Sequence, residues 1–224
     1  MHSLRCLLLF CVLFWLTGCG GTPGILYSDV KMALTTPKDV ELSLEQVKDS
    51  PYDILYLRIN DQARISMVLA FLEHGQHKWV SADSALLIVE QGRVVRTQDF
   101  PAELLYTTNT AQDPLRLGLD QLVSAAPWLR LTDWRSGSGY AVQSYFTEQE
   151  PELLEVLQRQ RQVRVFTEHV TFEQPNTAFT NTFWFDAASG LLLKSRQQLF
   201  PGGTILELTH LSPLVRYITT EEAL

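Results

Sequence analysis

The sequence predicts a mainly β fold, an antiparallel sandwich or open barrel with a few short helices, on the strength of three observations. Apolar residues recur at every second position over many short runs, as where Leu55, Leu57 and Ile59 alternate with Ile54, Tyr56 and Arg58. That is the period of a strand with one face buried. The gaps between runs hold residues that favour chain reversal, among them Gln91-Gly92, Ser136-Gly137-Ser138-Gly139, Ser189-Gly190 and Pro201-Gly202-Gly203. Finally, no long helical periods alternate with the strands, which argues against parallel βαβ units. Neither solenoid repeats nor low-complexity segments are visible.

Residues 1–18 stand outside this pattern and read as a bacterial lipoprotein signal peptide. His2 and Arg5 give a charged start, Cys6 to Leu16 is an apolar run, and Leu16-Thr17-Gly18-Cys19 carries the cleavage signature. This is the layout of a secretory leader; a membrane span would take about twenty apolar residues. Cleavage would leave Cys19 first, its sulfur able to carry a diacylglycerol thioether and its amine a further acyl chain. Several chains at about 0.8 kcal/mol per buried methylene make an effectively permanent anchor. Residues 19–27, with Gly20-Gly21-Thr22-Pro23-Gly24, form the lipidated N-terminus and a flexible tether. Residues 28–224 are expected to form a single, mainly antiparallel β domain.

Within that domain two short helices come first, one after Ser28 and one opened by Ser43, with Gln46 completing a capping box, that ends near Pro51. The run Ile54 to Ile59 then turns at Asn60-Asp61-Gln62 into a second strand, where Ile65, Met67, Leu69 and Phe71 share a face. Strands follow at Lys78 to Ala82, Ala85 to Glu90 and Arg93 to Thr97, the last two joined by the tight Gln91-Gly92 turn. Gln98 to Ala126 has no clear period. Longer strands come next: Trp128 to Trp134, Tyr140 to Thr147, Arg161 to Glu173, Phe179 to Asp186, Leu191 to Phe200 and Thr204 to Leu211. A helix is expected to interrupt them at Pro151 to Gln160, where Leu153, Leu154 and Leu157 have helical spacing behind a proline.

Removing the leader from 224 residues leaves 206 and deletes Cys6 and Cys11, so Cys19 is the sole cysteine of the mature chain. No internal disulfide can form, and the core must hold by packing. Arg5 is the only charge lost, which takes the net charge from −7 to about −8. So acidic a chain is a poor match for nucleic acid or anionic headgroups through bulk charge.

A search for reactive chemistry returns little. Gly137-Ser138-Gly139 lacks the spacing and strand-to-helix context of a nucleophile elbow and reads as a hairpin turn. His74, His77, His169 and His210 are the histidines of the mature chain; nothing in their spacing assembles a metal site, so they read as solvated turn residues. Glu148, Glu150 and Glu152 read as a solvated acidic face. Trp79 and Trp184 are expected in the core, whereas Trp128 and Trp134, near strand ends, are candidates for stacking against sugar rings. No catalytic residue, metal or cofactor is expected.

Two blocks carry a more specific signal. The first is Lys78-Trp79-Val80-Ser81-Ala82-Asp83 followed by Gly92-Arg93-Val94-Val95-Arg96-Thr97; the second is Phe183-Trp184-Phe185-Asp186, Ser189-Gly190 and Lys194-Ser195-Arg196-Gln197. In order and spacing they resemble the hallmark blocks of the GfcB/YjbF family of group 4 capsule and exopolysaccharide lipoproteins. Pro51-Tyr52 and Pro201-Gly202 also sit where that family has similar residues, and the likeness runs from about Pro51 onward. In local terms the second block turns at Asp186 and Ser189-Gly190, which would bring Trp184 near Leu192 across a hairpin.

The resemblance implies an outer-membrane lipoprotein, anchored at Cys19 with its body facing the periplasm, that is an accessory factor in polysaccharide assembly or secretion. Gly20, where an aspartate often marks inner-membrane retention in enteric bacteria, agrees with an outer-membrane destination. Its partners would be the membrane, through the lipid, and secretion proteins or the glycan itself. The alternative is a periplasmic carrier or chaperone whose curved sheet encloses an apolar pocket for lipid or lipid-linked glycan.

Overall fold

The computed structural model describes residues 38–174 and 176–222; the leader, Cys19, the tether and the helix expected after Ser28 lie outside the described residues. The first five strands are β1 (Ile54–Ile59), β2 (Ile65–Glu73), β3 (Gln76–Ser81), β4 (Leu86–Glu90) and β5 (Arg93–Gln98). After β6 (Leu104–Thr107) come β7 (Trp128–Trp134), β8 (Gly137–Val156), β9 (Arg159–Phe172) and β10 (Thr177–Asp186), then β11 (Leu192–Gln198) and β12 (Ile205–His210). Among the described residues the helices are α1 (Leu44–Lys48), α2 (Leu119–Leu122) and α3 (Leu211–Glu221).

All twelve strands belong to one antiparallel sheet in the order β5-β4-β3-β2-β1-β12-β11-β10-β9-β8-β7-β6. Each ladder joins strands adjacent in sequence except β1–β12, which sets Leu55 opposite His210 and Leu57 opposite Leu208. The sheet rolls until its end strands meet. There Thr97 Oγ1 accepts a hydrogen bond from the Leu104 N–H at 2.9 Å. Of the two expected architectures the chain adopts the open barrel, its seam bridged by a side chain where a closed barrel would have a backbone ladder.

Strand alternation decides what lies inside. Leu55 and Leu57 point inward with Met67, Trp79, Leu87, Leu206 and Leu208, and Phe146, Phe166, Phe183 and Phe185 extend this interior. Tyr56, one position out of phase, faces outward with Val163 and Val165, and Val47 of α1 and Leu211, Leu214, Val215 and Ile218 of α3 cover them. That spacing gives α3 one apolar stripe, and each such side chain contributes about 1.5–3 kcal/mol on burial. The Ser212 hydroxyl oxygen accepts the buried Ile54 N–H at 2.8 Å, tying the start of α3 to the start of β1.

The expected capping box is present: Ser43 Oγ accepts from Gln46 N–H and Gln46 Oε1 accepts from Ser43 N–H. Gln91 (φ 46°) and Gly92 (φ 86°) make the tight β4–β5 turn. The helix expected at Pro151 to Gln160 is absent; β8 runs on through Pro151 to Val156 and turns at Leu157-Gln158 into β9. The proline, which has no N–H for the ladder, sits where the register shifts between Gln149 and Glu152. The apparent helical spacing arises because Leu154 and Leu157 pack beside the α1–α3 cluster while Leu153 is exposed. The unassigned stretch holds β6, 3-10 turns at Thr110–Gln112 and Pro114–Arg116, and α2. A second shift between Trp184 and Phe185 places Lys194 opposite Trp184 and Leu192 opposite Phe185, so the expected Trp184–Leu192 pairing is displaced by one position.

Candidate functional site

The two sequence blocks meet in space. Gln197 on β11 accepts the Val94 N–H (3.1 Å) through Oε1 and donates through Nε2 to the Gly92 carbonyl (2.7 Å), joining the β4–β5 turn to the second block. Gly92 packs so closely that a Cβ there would lie 2.3 Å from Leu192 Cδ2. Asp186 braces the β10–β11 turn: it accepts from the Ser189 N–H and hydroxyl (2.8 and 2.6 Å) and from Arg161 (2.8 and 3.0 Å).

Between the blocks opens a cleft of about 590 Å³, lined by Trp79, Gly92, Phe185, Leu192 and His210, and by Leu115, Leu119 and Leu122 from the β6–β7 connection. Two of its lining side chains carry buried polar atoms with no hydrogen-bond partner, Trp79 Nε1 and His210 Nε2. Burial, with a smaller contribution from nearby His77, pushes the His210 imidazole down to about 4, so it is neutral at ordinary pH. The charges at the rim are matched: Arg116 binds Glu90 at 2.8 Å and Arg216 binds Asp53.

Beneath the cleft the middle of the barrel is filled by a buried charge network. Arg93 donates to Asp113 (2.8 Å) and Glu168 (2.5 Å), and Asn181 donates to Glu168 at 2.9 Å. Arg130 lies 3.7 Å from the second Glu168 oxygen and donates to Ser144 at 2.8 Å. Burial alone would raise the Glu168 carboxyl, but the charges of Arg93 and Arg130 outweigh it and hold the group at about 2. Burial lowers Arg130 to about 10; the charge of Glu168 offsets this only in part, and nearby Arg93 adds to it. Arg93, desolvated to the same degree, is nevertheless raised by its two carboxylates. The cavity left in this middle layer is about 20 Å³. At the far end of β1, β3 and β4 a second cleft, about 530 Å³, is lined by Ile59, Ile65, Asp83, Asp99, Glu103 and Arg135.

The sugar-stacking candidates lie elsewhere than expected. Trp128 is 2% exposed, donates its indole N–H to the Asn109 carbonyl (2.9 Å) and lies under Arg130 and Arg93, whose guanidinium carbons are 4.0 and 5.0 Å from its ring. Trp134 is 8% exposed and stacks on Tyr140 (3.9 Å) and Phe200 (5.2 Å). Their faces are occupied, so neither offers a platform for a sugar. Trp79 is in the core as expected, and half-buried Trp184 packs beside the α1–α3 cluster.

Of the histidines, His74 is an exposed turn residue. His77 stacks on Trp79, His169 stacks on Tyr145, and His210 is buried at the end of β12. Reading His210 as solvated misses that it continues the inward series Leu206, Leu208. Glu148 is exposed and pairs with Arg164 at 2.7 Å, while exposed Glu152 accepts from the Trp184 indole. Among the described residues no group of three His, Cys, Asp or Glu side chains is placed to hold a metal ion. The cleft thus has a mixed lining, apolar side chains such as Leu115, Leu122 and Leu192 together with Asp53, His77, Gln91, Arg116 and Arg216. Cys19 lies outside the described residues.

Comparison with known proteins places this architecture. The family model described as group 4 capsule polysaccharide lipoprotein gfcB, YjbF matches residues 27–211. The uncharacterized lipoprotein GfcB of Escherichia coli (strain K12) is 32% identical over 213 residues, 94% of this chain and 99% of that protein. The uncharacterized lipoprotein YjbF of the same organism is 32% identical over 207 residues, covering 89% of this chain and 95% of that one. The crystal structure of the hypothetical lipoprotein YmcC from Escherichia coli (K12) superimposes with a TM-score of 0.67 at 34% identity, over 76% of this chain and 88% of that one. The paired blocks, the twelve-stranded open barrel and the likeness over most of the chain agree: the chain belongs to the GfcB/YjbF family of group 4 capsule polysaccharide lipoproteins.

Proposed function

We propose that the protein is a non-enzymatic accessory factor in the assembly or secretion of capsule or another extracellular polysaccharide, held at the outer membrane by lipid on Cys19 with its barrel in the periplasm. The single observation that carries this reading is the family match across residues 27–211, a family described by its group 4 capsule polysaccharide lipoproteins. The cleft where the family's two blocks meet, with a volume of about 590 Å³, is large enough to take part of a partner or ligand.

Secretion proteins are the favoured partners over the glycan. Trp128 and Trp134 have no free face, whereas the outer surface of β6–β8 exposes Tyr106, Leu129, Leu131 and Tyr145. Exposed apolar residues of this kind are what protein partners cover. The carrier alternative asks the sheet to enclose a lipid; the middle layer has about 20 Å³ free, so that reading would rest on the clefts of about 590 and 530 Å³ at the barrel ends.

Deleting the gene is expected to lower surface polysaccharide without altering its repeat unit, read by quantifying surface glycan and analysing its composition. Undiminished output would sink the accessory role. Cys19→Ser is expected to move the folded protein from the membrane fraction to the soluble one; retention in the membrane would refute anchoring through that residue.

A further inference from the structure

We propose that the barrel end carrying the 590 Å³ cleft rests on a phospholipid leaflet, with Tyr52, Phe71, Leu72 and Leu117 entering its headgroup and upper acyl region. All four are exposed, Tyr52, Phe71 and Leu72 at 61%, 58% and 62%. They stand around the mouth of the cleft: Tyr52 precedes Asp53 and Leu72 pairs with His77, both in its lining, and Leu117 lines it directly. The Asp53 carbonyl accepts the Leu69 N–H at 2.9 Å, which brings Tyr52 beside the β2–β3 hairpin. Successive strand residues point to opposite faces. Exposure of both Phe71 and Leu72 therefore means that this hairpin stands clear of the body on each side.

Three observations favour a bilayer as the occupant. The four side chains project separately from a hairpin, a segment before β1 and a 3-10 turn; a protein partner covers a contiguous patch, whereas a headgroup layer takes isolated aromatic and aliphatic tips and hydrates the backbone between them. Charge sorts the two ends of the barrel. Asp53, Glu73 and Glu90 at this end pair with Arg216, Lys78 and Arg116, while the opposite cleft is lined by Asp83, Asp99 and Glu103 with Arg135 as its one cation. An anionic leaflet repels that acidic end and tolerates the matched one. Reach also suffices: residues 19–37 are nineteen residues, up to about 60 Å extended. They lead to Asp39, which binds Arg58 and the Arg64 N–H near the β1–β2 turn, and β1 from there to the cleft end is about 20 Å long. The proposal deepens the anchored reading above, from which it takes only that the chain is held at a bilayer. Tips of this size bind more weakly than a single myristoyl chain, about 10⁴ M⁻¹, so they orient the protein without replacing its anchor.

The test couples Cys19, the sole cysteine of the mature chain, to a maleimide-headgroup lipid in vesicles of phosphatidylethanolamine and phosphatidylglycerol. The anchor is then supplied chemically, so the outcome does not depend on acylation in the cell, which the Cys19→Ser fractionation tests separately. Leu72→Trp puts an indole at the hairpin end, where lipids brominated near the start of the acyl chain quench it on contact. Quenching beyond that of the parent chain is expected for Leu72→Trp and not for Leu131→Trp, on the outer face of β7. Adding Tyr52→Ser and Phe71→Ser to Leu72→Trp should lower the docked-to-free ratio about tenfold while circular dichroism shows the folded sheet. No quenching beyond the parent, equal quenching for Leu131→Trp, or undiminished quenching in the folded triple variant would each overturn the proposal.

A photoreactive benzoylphenylalanine at position 72 of the otherwise unaltered chain in cells then shows what covers the tip. Adducts of phospholipid mass are expected. Crosslinks to proteins without phospholipid adducts would assign the tip to a protein partner and refute the bilayer contact.

Discussion

Replacing Glu168 by glutamine is expected to cost the barrel about 3–5 kcal/mol, the loss typical of removing one partner from a buried ion pair. Arg93 and Arg130 are balanced by Asp113 and Glu168, and all four lie in the middle layer with Glu168 fully buried. Glutamine keeps the size of the side chain but leaves one positive charge uncompensated, falling mainly on Arg130, since Asp113 is already bound by Arg93. A second route gives a similar size. Holding the carboxyl at about 2 against an ordinary value of 4.5 corresponds to roughly 3 kcal/mol of native-state preference for the charged form. Because the folded value is the lower one, this contribution is complete above pH 4.5 and is lost as pH falls through about 2. The acid limb of the stability profile should therefore flatten in Glu168→Gln.

The assay is urea unfolding followed by tryptophan fluorescence, which Trp128 reports from beneath the two arginines, comparing midpoints at unchanged slope. Adding Arg130→Met restores neutrality, so the double variant should recover at least about 1 kcal/mol relative to Glu168→Gln. A single-variant loss below about 1 kcal/mol, or strictly additive losses in the pair, would refute the charge-balance reasoning.

Other outcomes follow from the same geometry. His210 titrates at about 4 in the fold against 6.5 unfolded, so it contributes about 3 kcal/mol that is present above pH 6.5 and lost as pH falls through 4; His210→Phe should level the stability profile across that window, and an unchanged slope would contradict its burial. Ser212→Ala leaves the buried Ile54 N–H without its acceptor and should cost about 1–3 kcal/mol by chemical denaturation, whereas a neutral result would mean that another group replaces the hydroxyl. Gly92→Ala places a side chain at φ 86° against Leu192, with an expected loss of about 1–2 kcal/mol that Gly75→Ala, also at positive φ but with no neighbour, should not exceed. Ser43→Ala removes the cap of α1 and should cost about 1 kcal/mol, read as a shift in thermal midpoint.

Where one face of a strand is dry and the other wet, period two was enough to find it: β1, β2, β5 and β10 lie close to their expected ranges. Pro151 is ambiguous because a proline at a bulge and a proline opening a helix look alike in sequence, and only pairing with β9 distinguishes them. Helix α3 is not legible in the sequence because its stripe Leu211, Leu214, Val215 and Ile218 directly continues a strand ending at His210. The charge network left a trace in Glu168, which takes the inward position between Phe166 and Val170. Finding its partners requires knowing which strands face one another. The cleft is legible only through its two blocks, because the segment that completes its wall, Leu115 to Leu122, has no period of its own.

The strand order has a kinetic meaning. Ten of the eleven ladders connect neighbours along the chain, so β1–β5 and β6–β12 can each grow hairpin by hairpin at small loop-closure cost. The β1–β12 ladder alone must bring Leu55 to His210 across nearly the whole domain. Two meanders zipped together by one late, distant pairing make that junction the natural bottleneck of folding. Ser212 and α3, which fasten it from outside, act as the latch that keeps the zipped barrel from reopening.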